Sequence, residues 1–287
     1  MRSSNPVFSR RGFSRSGGYA GFNAGQPQAG NPYANSPYVN NPYAQQPQQQ
    51  PQTTGQPYGA PPAAPPQARP MTMDDVVART GMTVGLVVVM AAVAWITDLS
   101  LPIAIGAGLV AMVLALVQSF KRKAVPALIL AYAALEGLFL GAISNYVDTY
   151  IADGAAMQAV LGTMAVFTAV LVMYKTRIIR VNRRFVRFAI AAAVGFILLM
   201  MVNLLFAVIG GGDGLGFRSG TMGIIFGIAG ILIGALFLAL DFKQVEDGIS
   251  YGAPREESWL AAFGLTLTLV WIYLEFLRLI AILQGND

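Results

Sequence analysis

The chain has 287 residues, of which 55% are hydrophobic and only 11% charged, with a net charge of +5, no histidine and no cysteine. Soluble domains carry about 25% charged residues, so this composition excludes an ordinary soluble globule. Without cysteine there is no disulfide framework, thiolate metal site or thiol nucleophile. Without histidine the commonest general base and neutral-pH switch is missing, which leaves proton-linked behaviour to carboxylates. The positive charge lies in short segments between apolar runs, a distribution that argues against nucleic acid as a partner.

Residues 1–74 read as a disordered, basic tail. Residues 1–70 hold Arg2, Arg10, Arg11, Arg15 and Arg69 and no acid, amid Pro, Gln, Asn, Gly, Ser and Tyr. Such a stretch cannot bury enough apolar area to offset its chain entropy. No apolar run follows the first arginines, so it is not a signal peptide. The motif Asn31-Pro32-Tyr33 recurs as Ser36-Pro37-Tyr38, Asn41-Pro42-Tyr43 and Gln56-Pro57-Tyr58. These repeats offer a docking site for a protein partner or for neighbouring copies; a solvated low-complexity extension is the plainer reading.

Residues 75–287 read as an all-α integral membrane domain. Seven apolar runs, at about 80–97, 101–119, 124–146, 155–174, 188–209, 221–241 and 258–283, each approach the ~20 residues needed to span a bilayer. Lys121, Arg122 and Lys123 lie between the second and third runs. Six cations from Lys175 to Arg187 lie between the fourth and fifth, and Lys243 and Arg255 between the sixth and seventh. All but Arg218 and Arg278 of the nineteen lysines and arginines thus fall on one side, which the positive-inside rule makes cytoplasmic. A multi-pass protein of the cell membrane follows, with its N-terminus inside and its C-terminus outside.

Charges inside a span are costly and mark candidate sites. Four qualify: Glu136, Asp241, Glu275 and Arg278. On the sixth run Gly223, Gly227, Gly230 and Gly234 step by four, three and four. Asp241 continues that face, placing it on a packed side at the cytoplasmic end. On the seventh, Gly264, Thr268, Trp271, Glu275 and Arg278 form a matching polar stripe. Glu275 and Arg278, three residues apart, can pair. Glu136 lies about 18 Å into the third run with no arginine within a turn. Asn203 reads as an interhelical hydrogen-bonding residue. No phosphate loop, activated serine or metal cluster is present in the sequence pattern, so an enzyme is not expected.

Leu238-Ala239-Leu240-Asp241-Phe242-Lys243-Gln244-Val245 resembles the sixth-helix motif of the Bax inhibitor-1/YccA family. Ile272-Tyr273-Leu274-Glu275-Phe276-Leu277-Arg278-Leu279 resembles its last helix, and Leu135-Glu136-Gly137-Leu138-Phe139-Leu140-Gly141 its third, entered at Lys121-Arg122-Lys123-Ala124-Val125. The resemblance covers residues 75–285, and the Pro/Gln/Tyr tail looks like that of an actinobacterial branch. It implies a seven-helix bundle with a central last helix and a pH-sensitive calcium leak, with no cofactor beyond calcium as permeant ion. In channel-forming members two aspartates on the sixth and seventh helices share a proton and gate the pore. Asp241 matches the first. The second falls on Glu275 or on Thr268, depending on which flanking residues are matched. The family's counter-charge on the second helix falls near Phe120, making Lys121 a shifted candidate. Other members suggest a different role, as regulators of a protease or stress response through partner binding.

Overall fold

A computed structural model describes residues 69–121, 123–210 and 214–285. The expected tail over residues 1–68 lies outside them. The described residues form seven long helices: α1 (Met73–Ile96), α2 (Leu101–Phe120), α3 (Pro126–Tyr150), α4 (Ala155–Lys175), α5 (Arg183–Gly210), α6 (Gly220–Ser250) and α7 (Ser258–Gln284), with one short 3₁₀ turn at Arg255–Glu257. Each is long and apolar enough to cross a bilayer. Their outward faces carry rows of exposed Val, Leu, Ile and Met, as lipid-facing helices must.

Local signals set the ends. Thr72 caps α1 in a capping box: the Asp75 N–H donates to Thr72 Oγ1 at 3.2 Å, and the Thr72 N–H donates to Asp75 Oδ2 at 3.3 Å. Prolines stand in the first turns of α2 and α3, where no intrahelical N–H is needed. Gln118, almost wholly buried, clamps the turn between those helices. Its Nε2 donates to the Lys123 carbonyl and its Oε1 accepts from the Val125 N–H. Gly154 enters α4 with φ +73°, a left-handed conformation that suits glycine.

The helices alternate in direction, and the contacts at their ends show which ends lie together. Arg79 of α1 donates to the Arg255 carbonyl, and its guanidinium stands 5.1 Å from the Trp259 ring centre. Arg255 pairs with Asp75, and Tyr174 of α4 bonds Glu246 of α6. This is the cation-rich end. At the other end Asn145 of α3 donates to Asp98 in the α1–α2 turn.

The last helix is central, packing on α1, α3, α4 and α6. α5 packs mainly on α6. The centrality explains why α7 carries two polar faces. Thr266 and Tyr273, seven apart, turn toward α1 and α3: Thr266 bonds Thr83 at 2.9 Å and Tyr273 bonds Ser144 at 2.6 Å.

Three expectations shift. The first helix starts at Met73, ahead of residue 80, because Arg69–Met71 pair with the α6–α7 loop. The Met71 N–H donates to the Ala253 carbonyl and the Arg255 N–H to the Arg69 carbonyl. α6 runs nine residues past Asp241, giving 31 residues or about 46 Å, longer than the ~30 Å hydrocarbon core. Its last turns are held by Lys243, which pairs with Asp247 at 2.7 Å and Glu246 at 3.6 Å. Among the described residues, Asn203 does not bridge two helices. Its Oδ1 accepts from the Leu215 and Phe217 N–H groups, fastening the loop that leads into α6.

Candidate functional site

The glycine face of α6 meets the polar stripe of α7. A Cβ on Gly223 would lie 2.8 Å from Ile282 Cδ1, one on Gly230 2.8 Å from the Glu275 carboxyl carbon, and one on Gly234 2.5 Å from Ile272 Cγ1. Side chains cannot occupy such space, so glycine is what permits this approach. Trp271 adds a bond from its Nε1 to the Gly230 carbonyl at 3.1 Å.

At the cation-rich end of this interface, Thr268 Oγ1 donates to Asp241 Oδ2 at 2.6 Å. Gly264 adjoins the carboxylate: a Cβ there would stand 3.4 Å from Asp241 Oδ1, in ordinary contact. Thr268 is ten residues, about 15 Å, into α7; Asp241 is nine residues, about 14 Å, from the end of α6. The two depths match. Asp241 therefore does not sit at a helix C-terminus, because the helix continues beyond it, and the terminal dipole does not act on it.

Glu275 lies elsewhere. It is nearly buried and pairs with Arg278 on the same helix, also nearly buried. Its carboxyl group lies against Gly230, eleven residues from Asp241 and so about 16 Å along α6. Strong coupling of two carboxylates needs ~4–6 Å. A proton shared directly between Asp241 and Glu275 does not fit this separation; the neighbour of Asp241 on α7 is Thr268.

Glu136, 9% exposed, is ten residues or about 15 Å into α3, and among the described residues it has no hydrogen bond or ion pair. Lys121 caps α2 on the exposed surface and joins no ion pair among the described residues. Of the expected site residues, the fold brings Asp241 to Thr268 and Glu275 to Arg278.

Two cavities flank the central helix. One, of about 640 Å³, lies between α5 and α7, with Glu275, Trp271 and Arg218 in its wall. The other, of about 670 Å³, lies among α1, α3, α4 and α7 and is almost wholly apolar apart from Ser144, Asp148, Thr163, Thr266 and Tyr273. Neither touches Asp241 or Thr268. Among the described residues no three acidic, His or Cys side chains gather as a metal site would require.

Sequence reasoning missed Arg218 as a wall of the first cavity, and Thr83, Ser144 and Tyr273 as interhelical partners. The seven-residue spacing of Thr266 and Tyr273 is the signal that marks the second polar face of α7.

No curated protein matches the chain. The family model described as Bax inhibitor 1 like matches residues 5–285. With seven apolar helices between Met73 and Gln284, the chain is a multi-pass membrane protein that belongs to the Bax inhibitor 1-like family.

Proposed function

We propose that this protein is a pH-sensitive cation leak channel of the cell membrane, with calcium the permeant ion, gated by protonation of Asp241. The observation that carries the reading is the hydrogen bond from Thr268 to Asp241, which ties α6 to the central helix about 14 Å from the end of α6. An ionised Asp241 accepts a charge-assisted bond, roughly twice as strong as a neutral one. Protonation weakens that tie, the two helices part at this end, and the leak rises as pH falls. Glu275 and Glu136 supply carboxylate oxygens deeper in the bundle, a donor type that suits a hard cation. Arg278 holds Glu275 in place, and Lys121 stands among the cations at the entrance. The resident protein needs no cofactor.

The cation-rich end faces the cytoplasm by the positive-inside rule, which puts the tail inside and the C-terminus outside. The bilayer is the first partner, and the Pro-Tyr repeats of the tail are a place for a protein partner.

Calcium flux into proteoliposomes of the purified protein across pH 5 to 8 tests this, with Glu275→Gln alongside. A flux that rises toward acid pH, in the wild type and in Glu275→Gln, supports a gate at Asp241 that is separate from Glu275. Absence of flux at every pH overturns the channel and favours a regulator acting through partners. That reading predicts loss of function on removing residues 1–68, a cut that spares the Arg69–Met71 pairing with the α6–α7 loop.

A further inference from the structure

The cavity between α5 and α7 has a shape and charge that the gate does not use. Its apolar wall comes from Phe196, Met200 and Leu204 on one side and Trp271 on the other. Along α5 the lining runs from Phe196 to Ala207, eleven residues or about 16 Å, the depth of one leaflet of a ~30 Å core. Its volume of about 640 Å³ falls within the ~300–1,000 Å³ of small-ligand pockets. The cavity opens to lipid, because its lining residue Leu204 is 63% exposed and lies on a membrane-facing side of α5.

The polar groups gather at the end opposite the cation-rich loops. Arg218 precedes α6 there, and its one side-chain hydrogen bond among the described residues runs to Met200 Sδ at 3.6 Å. A thioether is a weak acceptor, so most of the five guanidinium donors lack a strong partner. Behind the wall, Arg278 engages Glu275 while its Nε and Nη1 are buried without a hydrogen-bond partner among the described residues. Among the described residues, the two guanidinium groups and one carboxylate at this end carry one excess positive charge.

We infer that the cavity binds one anionic phospholipid from the adjoining leaflet. Its phosphate lies on Arg218, which suits phosphate through its planar fork of donors. One acyl chain lies down the wall between α5 and Trp271. A free phosphate would leave the apolar wall bare, and a neutral lipid would leave Arg218 unmatched; the membrane itself supplies the amphiphile that satisfies both. The site stands whether or not Asp241 gates, since neither Asp241 nor Thr268 lines it.

The chain has three tryptophans, so Trp95→Phe with Trp259→Phe leaves Trp271 as the sole reporter in the cavity wall. The full chain is placed in phosphatidylcholine bilayers holding a rising fraction of phosphatidylglycerol with brominated chains, and compared with brominated phosphatidylcholine. Half-maximal quenching by the anionic lipid is expected at roughly a fivefold lower fraction, the preference given by one arginine at an anionic headgroup. Arg218→Gln should bring the two curves together and leave the phosphatidylcholine curve in place. Identical curves in the reporter protein, or a preference that survives Arg218→Gln, overturn the inference. A second readout avoids the tryptophan changes: phosphatidylglycerol added in detergent should raise the melting temperature of the otherwise wild-type chain more than phosphatidylcholine does. Arg218→Gln should abolish that difference. No difference in the wild type counts against the site.

Discussion

Replacing Gly234 by alanine tests the close approach of α6 to α7. The new Cβ would meet Ile272 Cγ1 at 2.5 Å and Trp271 Cδ1 at 3.2 Å. Ordinary contact begins near 3.4 Å, so one side must give by nearly an ångström. Ile272 cannot step aside cheaply: it is fully buried, and its branched Cβ restricts χ1. Overpacking of this kind costs about 1–3 kcal/mol. Alanine also favours a helix over glycine by up to ~1 kcal/mol, which offsets part of the cost. Gly195→Ala on α5 isolates that gain, because a Cβ there meets nothing within 4 Å. The difference between the two variants is therefore the packing term, about 1–3 kcal/mol. Reversible unfolding in mixed micelles, followed by circular dichroism, measures it. Equal stability of Gly234→Ala and Gly195→Ala would refute the glycine-mediated contact.

Thr268→Val removes the donor to Asp241 at nearly constant volume. Interhelical bonds in membranes are worth ~0.6 kcal/mol on average and up to ~1.7, so the leak at pH 8 should rise by roughly three- to fifteenfold. An unchanged leak in proteoliposomes would deny Thr268 a part in the tie. Glu275→Gln leaves Arg278 charged and nearly buried, and should cost about 3 kcal/mol of unfolding stability. Removing both charges, in Glu275→Gln with Arg278→Met, should recover more than half of that; a double variant no more stable than the single one would contradict the pairing. Arg255 and Asp75 form a partly exposed pair at 2.7 Å, so Asp75→Asn should lower the unfolding midpoint only slightly, and less in high salt. A large, salt-independent drop in that midpoint would show a larger structural role.

The seven spans are legible because a bilayer imposes a length and a polarity on each segment that no other constraint in this chain mimics. The α6–α7 contact is legible too, from the four-three-four spacing of Gly223, Gly227, Gly230 and Gly234 and its counterpart on α7. The end of α6 is hidden because Asp241 and Lys243 resemble a membrane boundary, whereas the helix continues nine residues past Asp241 with the ion pairs of Lys243 along its last turns. The partner of Asp241 is not written in either helix. Thr268 and Glu275 share one face of α7, and only the sliding register of α7 against α6 chooses between them. Arg218 reads as a lone loop cation because the gap beside it depends on α5 packing mainly on α6, a tertiary fact with no periodic signal. The strap of Arg69–Met71 over the α6–α7 loop is hidden for a similar reason: two backbone bonds to a segment far along the chain leave no mark on composition.

The most direct test of the central claim is calcium flux through Asp241→Asn at pH 8 and pH 5.5, beside the wild type. Asparagine keeps the shape of Asp241 and carries no charge, so it copies the protonated state at every pH. The account predicts a leak at pH 8 that already equals the acid leak of the wild type and does not change with pH. A variant that keeps the pH profile of the wild type would contradict gating at Asp241.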